Sequence, residues 1–227
     1  MDLMLRKERL AGFLFLVGIL SGIFSVSPAI DSARYLTEAA ANNNRVILSA
    51  IFQFIMSLSY VGIGILLYPV IKNFGSSLSI GFLSLRIIAA TLVIVGIILL
   101  LSVLVVSKTF RENEAQAAFH YAAMGEVLKV TRDYINHVFM ILVLCAGNIM
   151  FYTLLLKAKL VPQWLSVWGL VGNLLSALAS IFSLFQLLDI ITTEYLAMNA
   201  PTALQEMILG GWLMMKGFEK RPVAVPT

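Results

Sequence analysis

Charged side chains are scarce in this sequence, and their scarcity excludes an ordinary soluble protein. Asp, Glu, Lys and Arg make up 12% of the 227 residues, against about 25% in soluble domains. Hydrophobic residues make up 60%. A soluble domain of this size exposes much of its surface and needs polar side chains to cover it. Lipid must cover this surface instead, which predicts an integral membrane protein.

Cysteine and histidine are almost absent. The single cysteine, Cys145, excludes an intramolecular disulfide. With only two histidines, a zinc site would need carboxylates to complete it. The sequence contains no phosphate-binding loop, dinucleotide glycine motif, HExxH or paired CxxC. We therefore predict no metal and no cofactor; a haem between His120 and His137 is disfavoured because His120 lies in a charged segment far from His137 along the chain.

A basic stretch interleaved with aromatic residues is also missing, although the formal net charge is +4. Surfaces that bind nucleic acid concentrate Lys and Arg in such a patch, so we predict no nucleic-acid partner. Cytoplasmic loops of membrane proteins are enriched in Lys and Arg. The positive charge is therefore interpreted as a consequence of topology.

Long apolar runs are abundant. A hydrocarbon core about 30 Å thick takes about 20 helical residues. Five runs of this length are uncharged, and a sixth is apolar except for Glu206 and Lys216. They predict an all-α, polytopic membrane bundle in one domain, residues 1–218, followed by a tail, residues 219–227. The six predicted helices are residues 10–30, 46–71, 80–107, 134–156, 162–188 and 201–218.

The charge distribution predicts that both termini are cytoplasmic. With the N-terminus inside, ten of the sixteen basic residues but only three of the twelve acidic ones fall on the cytoplasmic side, as the positive-inside rule requires. Five crossings would place the basic C-terminal tail outside. We therefore expect a multi-pass protein of the cell membrane, surrounded by the lipid bilayer. The ten basic residues are Arg6, Lys7, Arg9, Lys72, Arg86, Lys157, Lys159, Lys216, Lys220 and Arg221.

Two segments are expected on the outer side. The first, residues 31–44, is polar and ends in three consecutive asparagines, which is typical of a turn. The second, residues 108–133, carries charges of both signs but keeps apolar residues near helical spacing. We expect the second segment to extend the third and fourth helices beyond the lipid or to lie on the lipid surface.

Small and polar residues recur on single faces of the predicted helices. Gly18 and Gly22 form a GxxxG pair in the first helix, and the fifth helix carries small or polar residues at spacings of three and four. Membrane helices associate through small residues and interhelical hydrogen bonds, so both stripes are predicted to be packing seams. The stripe of the fifth helix comprises Gly169, Asn173, Ser176, Ser180 and Ser183.

Polar side chains at membrane depth are the candidate functional residues, because such groups are costly in hydrocarbon and face protein or a water-filled cavity. At 1.5 Å per residue, Asn148 and Asn173 fall roughly 12–14 Å from the cytoplasmic side. Arg86 joins them if the third helix begins early, and is otherwise a topology anchor at the interface. The candidate ligand-binding residues are Arg86, Asn148 and Asn173, together with Glu206, His137 and Gln53 in the outer half.

Glu206 has two open interpretations. It lies five residues beyond Pro201, roughly 7–8 Å below the outer boundary, where a carboxylate loses part of its hydration. In the first interpretation it binds a ligand or a proton. In the second it interacts with the exposed amides of the first helical turn, since Pro201 suits an early helical position.

Several short motifs are spread in order across the chain. They are Arg9, Ala11 and Gly12; Tyr68, Pro69 and Val70; Gly81, Leu85 and Arg86; Val161, Pro162, Trp164, Leu165, Ser166 and Gly169; and Pro201, Leu204, Glu206, Trp212, Leu213, Lys216, Gly217 and Phe218. Together they resemble a bacterial multi-pass membrane family known as the domain of unknown function number four thousand three hundred and eighty-six. The resemblance implies a six-helix membrane domain that fills nearly the whole chain, and it implies no activity.

Three functions remain open at this point. The favoured one is binding or moving a small or lipophilic molecule in a polar pocket inside the bundle. The second is a non-catalytic partner or regulator of another membrane protein, or a homo-oligomer. The third is an intramembrane enzyme that uses Glu206 and His137 as acid and base. No catalytic constellation is complete, which favours the first two.

Overall fold

The protein folds as a bundle of long helices. In a computed structural model, the described residues are 3–112, 118–190 and 192–219, and their regular secondary structure is entirely helical. The predicted all-α class is therefore confirmed. The helices are α1 Leu3–Phe24, α2 Pro28–Asp31, α3 Tyr35–Ala41, α4 Asn43–Ile71 with a 3-10 turn Lys72–Phe74, α5 Ser76–Glu112, α6 Ala118–Tyr134, a π turn Ile135–Phe139, α7 Met140–Ala158, α8 Gln163–Leu184 and α9 Thr193–Met215.

Four helical segments are long and apolar enough to cross a membrane. They are Asn43–Phe74, Ser76–Glu112, Phe119–Ala158 and Gln163–Leu184. This composition is that of a membrane protein. Helices α1 and α9 are long but less apolar: α1 begins with four consecutive charged residues, 6–9, and α9 carries Gln205 and Glu206 near its middle.

The first and last predicted helices have the wrong boundaries. Helix α1 ends at Phe24 instead of residue 30. The chain turns after Phe24, and a separate short helix, α2, begins at Pro28. Helix α9 begins at Thr193, eight residues before the predicted start. The Thr192 side chain accepts a hydrogen bond from the Tyr195 amide at 3.3 Å, and this cap starts the helix. Pro201 therefore lies inside α9.

The predicted outer segments are helical where the structure describes them. Residues 31–44 hold α3 and the ends of α2 and α4 instead of an irregular loop. Helix α5 continues to Glu112, and α6 runs through the π turn into α7, so both neighbouring helices are extended as predicted. The segment Phe119–Ala158 has 40 residues, about 60 Å of helix, which is twice the hydrocarbon thickness. Residues 113–117 and the tail 220–227 lie outside the described residues.

The long segments run back and forth between two ends of the bundle. At one end, a hydrophobic cluster joins α1, the α4–α5 turn, the α7–α8 turn and the end of α9. Two backbone amides reinforce this end: Phe218 donates to Glu8 Oε2 at 2.9 Å, and Glu219 donates to the Leu160 carbonyl at 2.8 Å. At the other end, a second cluster joins α2, α3, the start of α4 and the C-terminal half of α5.

The small-residue stripe of α8 is an interhelical seam, as predicted. Its five residues are buried. Gly169 lies directly under the ring of Tyr152 on α7. Ser176 shares a 2.8 Å hydrogen bond with Thr202 on α9, and Ser180 donates to the carbonyl of His137 at 3.0 Å. This seam fixes α7 and α9 on either side of α8.

Candidate functional site

Four polar side chains from four different helices meet in the middle of the bundle. Arg86 of α5 donates through Nη2 to Asn148 Oδ1 of α7 at 2.8 Å and lies 3.4 Å from Glu206 Oε1 of α9. Asn148 Nδ2 donates to Glu206 Oε1 at 2.9 Å and to Asn173 Oδ1 of α8 at 3.0 Å. These four residues, the buried polar cluster, link α5, α7, α8 and α9 through side chains alone.

Arg86 is the cationic member of the cluster and is only 1% exposed. This burial excludes the alternative in which Arg86 is an anchor at the interface. Its guanidinium lies 5.3, 5.5 and 5.3 Å from the ring centroids of Phe15, Tyr60 and Phe82, where the ring faces attract a cation. Its Nε and Nη1 are buried without a hydrogen-bond acceptor among the described residues.

Glu206 occupies a different place from the one predicted. It lies thirteen residues after Thr193, where α9 begins, or about 20 Å along the helix, so it is not in the first turn. Interaction with the exposed first-turn amides is therefore wrong for Glu206. The misplaced helix start caused this error. Instead, the carboxylate neutralises Arg86, and its side chain remains 11% exposed.

A second set of side-chain hydrogen bonds lies beside the cluster, and the sequence analysis did not predict it. Tyr152 donates to Gln205 Oε1 at 2.6 Å, and Gln205 Nε2 donates to the Leu165 carbonyl at 3.1 Å. Gln205 is fully buried. The sequence did contain a sign of this role, because Gln205 lies next to Glu206 in an otherwise apolar run. A side-chain amide in such a run needs hydrogen-bond partners from other helices.

A cavity of about 460 Å³ opens beside the cluster. We call it the main cavity. Its walls come from α1, α4, α5, α7, α8 and α9, and its lining is predominantly apolar. Arg86, Asn173 and Glu206 of the buried polar cluster line it, and so does Cys145. The other polar residues in the lining are Tyr60, Ser176, Asn199 and Thr202.

The main cavity opens between α1 and α9. These helices touch closely where Gly12 meets Gly210. Farther along α1, an added Cβ at Gly18 or Gly22 meets side chains of α4 and no atom of α9 within 4 Å, and residues of both α1 and α9 line the cavity there. Its lining includes Ile23 of α1 with Leu204 and Met207 of α9, three apolar side chains that are also exposed on the outside of the bundle. Apolar side chains therefore border the opening.

The remaining two predicted residues, Gln53 and His137, line a smaller cavity of about 240 Å³. Tyr195 donates to the His137 carbonyl at 3.1 Å and lies 3.5 Å from His137 Nδ1. The Gln53 Oε1 atom is buried without a donor among the described residues. His137 and Glu206 line separate cavities, so the structure does not assemble the acid–base pair considered from the sequence.

The two cavities are neighbours. Both are lined by Gly22, Val26, Met56 and Ile141, so one apolar wall separates the buried polar cluster from the His137 region. Within the described ranges, no group of three His, Cys, Asp or Glu side chains is placed to hold a metal ion.

Comparison with known proteins identifies one relationship. The family model described as "Domain of unknown function (DUF4386)" matches residues 10–217. This range contains every residue of the buried polar cluster and both cavities' lining residues. No curated protein and no solved structure matches the chain significantly.

Proposed function

This chain belongs to the DUF4386 family, and we propose that it is a six-crossing protein of the cell membrane that binds a small lipophilic molecule in the main cavity. The observation that carries this proposal is a buried arginine with unpaired donors on the wall of a predominantly apolar cavity. Both termini lie in the cytoplasm in this proposal. The fold class and the membrane character are its starting points.

The packing of α1 and α9 supports six crossings. The two helices pack against each other, α1 also packs against α4 and α9 against α8, and both contribute to the same core cluster. The polar residues of α9 are buried: Gln205 and Glu206 face the bundle, whereas Leu204 and Met207 face outward. A membrane helix with polar groups on its protein side and apolar groups on its lipid side needs less overall hydropathy.

The sixth crossing predicts that the two ends of α9 lie on opposite sides of the membrane. Glu194 lies in the first turn of α9, Glu219 follows its C-terminal end, and both side chains are exposed. In a Cys145→Ala background, Glu194→Cys is expected to react with a membrane-impermeant maleimide in intact cells, and Glu219→Cys only after permeabilisation. The parent without cysteine is the control for background labelling. Reaction of both positions from the same side would contradict the crossing.

The main cavity has the properties of a ligand site. Its volume of about 460 Å³ lies within the ~300–1,000 Å³ of small-molecule pockets, which are mostly apolar with a few polar groups. Arg86 is among the lining residues, its Nε and Nη1 are buried without an acceptor among the described residues, and leaving a buried donor unpaired is costly. Binding is favoured over catalysis because Glu206 and His137 line separate cavities.

Filling part of the main cavity is expected to weaken binding without unfolding the bundle. A leucine at Gly22 adds a side chain to the wall of the main cavity, and the nearest side-chain atom to its Cβ is Met56 Sδ at 3.4 Å. We expect Gly22→Leu to reduce photolabelling of the cavity by a diazirine-bearing medium-chain alcohol about tenfold, equivalent to about 1.4 kcal/mol of binding. Labelled peptides are mapped by mass spectrometry in phospholipid nanodiscs.

The matched control is Gly211→Leu, because an added Cβ at Gly211 meets nothing within 4 Å. This variant makes the same chemical change outside the cavity and is expected to keep parental labelling. Equal labelling of the cavity peptides in Gly22→Leu and Gly211→Leu would remove the main cavity as the binding site. An unlabelled cavity in the parent protein would instead favour the alternative role, a non-catalytic partner of another membrane protein.

A further inference from the structure

We propose, resting on the ligand-binding function above, that the ligand is an uncharged amphipathic molecule with a hydroxyl head, which enters from the bilayer between α1 and α9 and bonds to Arg86 and Glu206. The inference adds the chemical class of the ligand and its route. It follows from three properties of the main cavity, which are its charge, its free hydrogen-bonding groups and the position of its opening.

The charge balance of the cavity selects an uncharged ligand. Arg86 and Glu206 are the charged side chains among those that line it, and they neutralise each other across 3.4 Å. An anionic or cationic head would add a net charge to a buried site that has no further ionised partner to offset it. Buried charges without a partner are strongly disfavoured.

The free hydrogen-bonding groups select a head that both accepts and donates. The Nε and Nη1 of Arg86 carry protons for which the described residues provide no acceptor. The Glu206 carboxylate accepts from Arg86 and Asn148 through Oε1, and its side chain is partly exposed at the cavity wall. A hydroxyl accepts through its oxygen and donates its proton, so one such group satisfies Arg86 and Glu206 together.

The opening selects a ligand that is dissolved in lipid. It is rimmed by Ile23, Leu204 and Met207, which are apolar and exposed. Exposed apolar side chains on a membrane bundle contact lipid tails. An amphipathic molecule in the bilayer therefore reaches the buried polar cluster between α1 and α9 without passing through water. Its apolar chain then lies against Gly22 and Met56, the wall shared with the smaller cavity.

The test compares three photoreactive probes that share one diazirine-bearing alkyl chain and differ in the head: a primary alcohol, a carboxylate and a quaternary ammonium. Each is added to the full chain in zwitterionic phospholipid nanodiscs, at equal concentrations in the bilayer. We expect the alcohol to label the cavity peptides at least about tenfold more than either charged probe. Stronger or equal labelling by a charged probe overturns the uncharged class, whereas the binding function stands. Failure of all three probes to label the cavity overturns the binding function itself.

The route is tested by narrowing the opening. Met207→Trp replaces a flexible side chain at the border of the opening with a bulky indole ring. Met215→Trp makes the same change on an exposed part of α9 that does not line the cavity. We expect Met207→Trp to slow labelling by the alcohol probe several-fold and Met215→Trp to leave it at the parental rate. Equal rates in the two variants overturn the lateral route. Neither variant changes Arg86 or Glu206. Monodisperse elution of both variants from a size-exclusion column confirms that they are folded.

Discussion

Replacing Arg86 with methionine is expected to lower the free energy of unfolding by about 3–5 kcal/mol, the range for removing one partner of a buried ion pair. The loss arises because Glu206 stays buried with its charge uncompensated, while Asn148 loses the donor at 2.8 Å. Methionine keeps much of the side-chain volume between Phe15 and Phe82, so cavity formation contributes little. Unfolding in bicelles by steric trapping, or the melting temperature in detergent, measures the change.

The double variant Arg86→Met with Glu206→Gln is the matched comparison. It removes both charges and keeps an amide oxygen for Asn148, so we expect it to be more stable than Arg86→Met alone. Glu206→Gln alone is also expected to be destabilising, because it leaves the guanidinium of Arg86 buried with its charge uncompensated. A double variant no more stable than Arg86→Met would contradict the assignment of the loss to an uncompensated carboxylate.

Replacing Gly12 with alanine is expected to destabilise the contact between α1 and α9 by about 1–3 kcal/mol, the range for overpacking. An added Cβ at Gly12 would lie 2.6 Å from the Gly210 carbonyl oxygen and 2.9 Å from the Met214 amide nitrogen. Both are backbone atoms of α9, which move only if the whole helix moves. Because this contact holds α1 and α9 together below the main cavity, the variant is also expected to widen its opening.

The control for Gly12→Ala is Gly211→Ala, whose added Cβ meets nothing within 4 Å. In a helix, alanine is favoured over glycine by roughly 0.5–1 kcal/mol, so Gly211→Ala is expected to be neutral or slightly stabilising. The difference between the two variants isolates the steric contact from helix propensity. Equal melting temperatures for both would show that α1 and α9 separate at no cost, and the close contact would then have no role in stability.

Much of the fold was decided by sequence features that act locally. A low charged fraction and apolar runs of membrane length predict helices in lipid, because each helix satisfies its own backbone hydrogen bonds. The α8 stripe was predicted for the same kind of reason: Gly169, Ser176 and Ser180 share one face at spacings of three and four, whatever packs against them. The depth argument also placed Asn148 and Asn173 at one level, and the structure joins them at 3.0 Å.

The tertiary structure alone decided where Arg86 and Glu206 lie. The apolar run at residues 201–218 does not locate the start of α9. The cap at Thr192 and the first two turns, which contain Glu194 and Asn199, precede that run. Whether Arg86 snorkels to the interface or turns inward depends on partners from other helices, here Asn148 and Glu206, which are 62 and 120 residues away in the chain.

The main cavity is likewise a property of the assembled bundle. Gly12 and Gly210 set how closely α1 and α9 approach at one point, and residues from six different helices line the space beside the cluster. In the sequence these glycines are single small residues among many, with no mark that pairs them. The sequence by itself therefore determined the membrane class, the helices and the seam of α8, which depend on neighbours along one helix; packing among six helical segments decided the buried polar cluster and the cavity beside it.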